Sequence, residues 1–180
     1  MTKKKVTKAF NYTLDFKQTD FREHPELYRV GVGEQGVLLV EPYKSELLPL
    51  WRFRTELMAR ESAEAIYEKF KAYLREKDFV GADMARKYLQ MGFTRARRYA
   101  NHASGKKYTE KEDDGKGEQK SYPYSQGSIH KGNEIRPQEE DALTSEKAKA
   151  AAIFKHYWDE ARQNPDYLQQ KKEFTEKYVS

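Results

Sequence analysis

Two apolar stripes of helical period constrain this chain more than any other feature. Ala59, Ala63, Ile66, Phe70, Tyr73 and Leu74 recur at intervals of three and four, and so do Ala85, Leu89, Phe93, Ala96 and Ala100. Positions so spaced share one side of an α-helix, so each set forms a band that must be buried against something. The spacing predicts one helix from Thr55 to about Lys77, a corner at Asp78 to Gly81, and a second helix packing on the first as an αα-hairpin. Helix returns at Thr144 through the alanine-rich KAKAAAIFKHYWDEA. A last helix is announced by Asn164-Pro165, a capping residue followed by proline at the first helical position, with Tyr167, Phe174 and Tyr178 on one side.

The N-terminal third reads differently. After a basic tail over residues 1–9, Phe10, Tyr12, Leu14 and Phe16 alternate with polar residues, the period of a half-buried strand. A short turn or helical piece follows around Asp20 to Glu26. The runs LYRVGV and GVLLVEP then flank Glu34-Gln35, which predicts a β-hairpin. Beyond Pro42, Ser45 is placed to cap a short helical turn limited by Pro49, and Trp51-Arg52-Phe53-Arg54 reads as extended.

Gly31, Gly33 and Gly36 spell G-x-G-x-x-G, the spacing of a dinucleotide-binding turn. That turn works only if a helix N-terminus follows to meet the pyrophosphate. Here Val37-Leu38-Leu39-Val40 follows directly, with Pro42 two residues on, so the glycines are read as backbone geometry and no cofactor is expected.

The fold expected is therefore α+β: a small N-terminal antiparallel sheet packed on a mainly helical body, with a long polar loop before two C-terminal helices. The whole of 1–180 is read as a single domain, with the sheet and helical hairpin over 10–101, the loop over 102–143 and the last helices over 144–180. Thirteen Tyr, nine Phe and two Trp supply much of the apolar area a core needs. Tyr122, Tyr124, Ile129 and Ile135 are the expected anchors of the loop.

Absences narrow the chemistry. There are no cysteines, which closes disulfides, thiolate metal sites and cysteine nucleophiles. The four histidines, His24, His102, His130 and His156, show no i, i+4 pair, so no metal is expected. With no run of about 20 apolar residues and no apolar segment after MTKKKVTK, the expectation is a cytoplasmic protein without membrane partners.

The functional signal is basic. Between Asp83 and Tyr108 stand Arg86, Lys87, Arg95, Arg97, Arg98, Lys106 and Lys107 against Asp83 alone, whereas the whole chain carries only +5. At 100° per residue, Arg86, Lys87, Gln90, Thr94, Arg97, Arg98 and Asn101 fall on the arc opposite the apolar stripe. Such a face suits phosphate contacts and base-edge hydrogen bonds, with Lys106, Lys107 and Tyr108 extending it. The competing reading is an ordinary solvated face paired with acidic groups of the loop. A helix-turn-helix with its turn at Gly92 is disfavoured because Lys87 and Arg98 would then have to be buried. His102, beside Asn101 at the end of the basic helix, is placed either to complement the helix dipole or to act as acid or base.

The stretches YRVGVGEQGVLLVEPYKSELLPLWRF (28–53) and ADMARKYLQMGFTRARRYANHASGKKY (82–108) resemble a family of uncharacterised proteins found in bacteria and phages, classed as a domain of unknown function. The likeness covers roughly residues 10 to 108 and implies a single soluble domain. It brings no activity, cofactor or catalytic residue with it.

Three functions remain from the residues: a nucleic-acid or other polyanion-binding protein using Arg86, Lys87, Arg95, Arg97, Arg98, Asn101, His102, Lys106, Lys107 and Tyr108; a small enzyme acting on a phosphorylated or other anionic substrate; and a protein-interaction module whose partner the sequence does not name.

Overall fold

The computed structural model describes residues 9–102, 106 and 134–179. Among these the regular structure is helical: α1 (Tyr43–Leu47), α2 (Glu56–Arg75), α3 (Phe79–Asn101), α4 (Glu146–Gln163) and α5 (Pro165–Tyr178), with single 3-10 turns at Pro25–Leu27 and Leu48–Leu50.

The helix boundaries follow their capping residues. Thr55 accepts a hydrogen bond from the Met58 amide at 3.1 Å, Asp78 from Gly81 at 3.0 Å and Ser145 from Ala148 at 3.1 Å. Asn164 accepts from both Asp166 and Tyr167, with Pro165 as the first helical residue. Each side chain satisfies an amide that has no partner within its own helix. Ser45 is not a cap: it lies inside α1, where its amide donates to the Glu41 carboxylate.

The α2 and α3 helices form the expected antiparallel hairpin, turned by Glu76 to Asp78 with Lys77 in the left-handed region at φ 59°. α3 starts earlier than its glycine suggests. Gly81 sits within the first turn, and the position takes glycine because a Cβ there would meet the Tyr73 ring at 2.6 Å and the Tyr43 ring at 2.9 Å. α3 packs between α2 and α4 and touches α1 and α5, which makes it the central element. Every residue from Phe79 to Leu89 is buried as a result.

The small antiparallel sheet does not form, and the α+β assignment is corrected to a helical architecture: no strand occurs among the described residues. Over 10–16 the alternating pattern belongs to turns. The Asn11 side chain accepts from the Thr13 amide and Asp15 from the Lys17 amide, which diverts those donors from any ladder. Phe10, Phe16, Phe21, Tyr28 and Phe174 instead make a chain of ring contacts, successive centroids 5.9 to 6.3 Å apart, that carries the N-terminal segment across to α5.

The supposed hairpin is a run of turns. The amide of Gln35 donates to Val32, that of Val37 to Glu34, and those of Leu39 and Val40 to Gly36. Gly31, Gly33 and Gly36 all have positive φ, at 68°, 62° and 82°, which bends the backbone too sharply for a paired strand. Val37, Leu39 and Val40 are buried, so apolar burial rather than strand pairing explains that β-branched run. Of the expected loop anchors, Ile135 is 57% exposed, while Tyr122, Tyr124 and Ile129 lie outside the described residues.

Candidate functional site

The polar face of α3 begins at Asp83, whose side chain is fully enclosed. Its Oδ1 accepts from the Tyr167 hydroxyl at 2.6 Å and from Arg86 at 2.7 and 3.1 Å. Its Oδ2 accepts from the Tyr28 hydroxyl and faces the Lys87 ammonium at 3.7 Å. Segments from the N-terminal third, α3 and α5 therefore meet on one carboxylate.

Burial alone raises a carboxyl pKa, but here Arg86 and Lys87 outweigh it and hold Asp83 down at about 2. The same enclosure pushes Lys87 from 10.5 down to about 7; attraction to Asp83 offsets part of this, and repulsion from Arg86 adds to it. Tyr28 and Tyr167 are pushed well up, first by burial and then by the adjacent negative charge. The resulting state is one carboxylate, two neutral phenols and a firmly charged Arg86, with Lys87 the group nearest to neutrality.

The same helix face secures the glycine-rich loop. Arg86 Nη1 donates to the Gly33 carbonyl at 2.8 Å, Lys87 Nζ to the Gln35 carbonyl at 2.6 Å, and the Tyr88 hydroxyl to the Val37 carbonyl at 2.8 Å. Three successive α3 side chains thus take alternate carbonyls of the loop, the role a neighbouring strand would have filled. Lys87 Nζ also lies 4.9 Å from the Tyr28 ring centre and 5.4 Å from that of Phe10. Further along, Thr94 donates to Glu34 at 2.7 Å, and burial raises the Glu34 pKa.

Arg86 and Lys87 are consequently occupied inside the protein, where neither can reach a phosphate. Lys87 is 0% exposed and Arg86 7%. Their pairing is with Asp83 three and four residues before them, a spacing visible in the sequence. Arg97 is also committed: it donates to Asn101 at 3.0 Å and to the Ala142 carbonyl, which ties the end of α3 to the segment before α4. The Asn101 carbonyl accepts from the Glu139 amide at 2.7 Å at the same junction. His102 ends α3 at 5% exposure, and its Nδ1 has no hydrogen-bond partner. Lys106 is exposed, and Lys107 and Tyr108 lie outside the described residues. α3 runs unbroken through Gly92, which leaves no turn for a helix-turn-helix; the glycine admits the Phe154 ring of α4.

What remains outward is the other side of the last α3 turns, where Arg95 and Tyr99 are exposed and Arg98 half-buried. Sequence reasoning did not join these to Arg52-Phe53-Arg54, but the fold does. The Phe53 ring lies 5.7 Å from that of Tyr99, and Lys147 of α4 sits over both rings, at 4.9 and 5.5 Å. Lys147 also donates to the Phe53 carbonyl at 3.2 Å, and its pKa is lowered by burial and then by nearby Arg54. Among the described residues, no carboxylate makes an ion pair with Arg52, Arg54, Arg95, Arg98 or Lys147. The alternation of Arg with Phe at 52–54 was the available signal; its partners on α3 and α4 were not.

A separate groove of about 370 Å³ opens between α2 and α4, lined by Glu56, Arg60, Lys149, Ile153, His156 and Tyr157 among others. Arg95, Arg98 and His102 take no part in it. No group of three or more His, Asp or Glu residues suited to a metal ion occurs among the described residues, and no described helix is long and apolar enough to cross a membrane.

The family model for a domain of unknown function, DUF4385, matches residues 11–177. The chain belongs to that family. The match extends well past the residues 10 to 108 that carried the resemblance, through α4 and almost to the end of α5. No curated protein and no solved structure matches the chain.

Proposed function

We propose that this DUF4385 protein binds nucleic acid through the surface formed by Arg52, Arg54, Arg95, Arg98 and Lys147. The observation that carries this reading is the Phe53–Tyr99 contact, which sets the 52–54 segment beside the end of α3 and collects cations with no paired carboxylate among the described residues. Arginines that form no carboxylate ion pair among the described residues suit phosphates, which take charge-assisted hydrogen bonds from the guanidinium fork. The surface differs from the helix face that the sequence singled out, since Arg86 and Lys87 now serve the interior.

An enzyme acting on an anionic substrate would need an enclosed pocket in which Arg95 or Arg98 converges with His102. His102 is sealed at the foot of α3, and the α2–α4 groove is lined by other residues, so the binding reading is the better supported.

A salt titration tests it. If three to five phosphates are neutralised, log K against log salt falls with a slope of about −0.7 to −0.9 per phosphate. Replacing Arg95 and Arg98 together by Ala should flatten that slope by the equivalent of roughly one to two phosphates. A flat dependence in the unaltered protein, or an unchanged slope in the double variant, overturns the proposal.

A further inference from the structure

Tyr99 is 42% exposed although two groups, Phe53 and Lys147, meet its ring. The Phe53 ring meets it at 5.7 Å and 55°, the Trp51 ring backs Phe53 at 5.0 Å, and Lys147 lies 5.5 Å from its centre. Tyr99 is thus held by a ring and a cation contact while part of the residue stays open to solvent. Arg95 and Arg98 precede it by four residues and one on the same helix, and Arg52 and Arg54 flank Phe53. The Trp51 indole N–H beneath is buried and has no acceptor.

We infer that Tyr99 is a stacking platform for an unpaired base, so that the nucleic acid this surface takes is single-stranded. The inference rests on the binding reading above and names its substrate class. In a duplex both faces of every base are already stacked, and only edges and phosphates are offered to a protein. A strand without a partner presents free base faces along with its phosphates, and a supported aromatic ring among arginines matches both. Stacking tolerates any base because each has a π-face, so the same site accepts DNA and RNA strands unless a 2′-hydroxyl contact intervenes.

Lys147 and Phe53 give the platform its rigidity. The ammonium is held at once by two ring faces and by the Phe53 carbonyl, so the two aromatic side chains are tied to α4 as well as to each other. A ring held in this way loses little freedom when a base is added.

The test measures anisotropy of a labelled oligothymidylate and an oligouridylate of about 12 nucleotides, and of a duplex of equal length, in low salt. Tighter binding of the single strands is expected. Tyr99→Ala should weaken the single strands about tenfold more than it weakens the duplex, and the difference should be largely rescued by Tyr99→Phe, which keeps the ring. Equal affinity for all three ligands, with Tyr99→Ala without effect, removes the stacking role and leaves nucleic-acid binding intact. Absence of binding to any of them removes both readings. Should Tyr99→Ala fail to fold, photocrosslinking of an iodouridine-bearing strand to the unaltered protein replaces it. A crosslink at Tyr99 supports the platform, and crosslinks found only at other residues overturn it.

Discussion

The Tyr28 hydroxyl donates to Oδ2 of Asp83 across 55 positions of sequence, while Tyr167 reaches Oδ1 of the same carboxylate from 84 positions further on. One buried anion therefore fastens the N-terminal third and α5 to the central helix. Removing it leaves Arg86 and Lys87 buried without their counter-charge. Asp83→Ala should cost about 3–5 kcal/mol, read as a lower urea midpoint. Tyr28→Phe removes one hydrogen bond and should cost about 1–3 kcal/mol.

Lys87 makes stability depend on pH with a defined sign. Its pKa is about 7 in the folded chain against 10.5 ordinarily, so between these values the unfolded chain binds more protons. Stability therefore rises as pH increases through that window. Above about 10 the raised pKa values of Tyr28 and Tyr167 act oppositely, because the unfolded phenols lose protons first. At the acid end, Asp83 contributes stability that is lost as pH falls from 3.8 towards about 2. Urea midpoints across pH should peak near pH 10, roughly where the two effects meet, and Lys87→Met should remove the rise above pH 7.

Gly36 is held at φ 82° with its α-carbon against the Phe10 ring, where a Cβ would be driven into that ring. Gly36→Ala combines left-handed strain with overpacking and should cost about 1–3 kcal/mol. Circular dichroism during thermal unfolding measures it. The same change at Gly33, where the added carbon would lie 3.6 Å from the Gln90 side chain, meets only the backbone strain and should cost less.

The basic residues divide into two groups that a pair of variants separates. Arg86→Ala should lower stability by roughly 3–5 kcal/mol, since it strands Asp83, and leave the salt slope of nucleic-acid binding unchanged. Arg98→Ala should do the reverse, with stability within about 0.5 kcal/mol and a salt slope shallower by the equivalent of about one phosphate. Parallel urea and anisotropy titrations read both.

The sequence by itself determined the long helices. The stripes through Ile66 and Leu89 placed α2 and α3, and Asn164-Pro165 started α5, because helical period and capping are local properties of consecutive residues. The direction in which polar side chains point was settled only by the tertiary structure. Arg86 and Lys87 lie on the arc opposite the apolar stripe, where an isolated helix would be solvated, yet the glycine-rich loop lies over them and offers its carbonyls. That loop carries strand-forming residues, but a strand needs a partner, and here side chains of α3 occupy its carbonyls. The Arg52-Phe53-Arg54 surface exists for the same reason: Phe53 finds Tyr99 and Lys147 in helices far along the chain, and no local rule of periodicity contains that meeting.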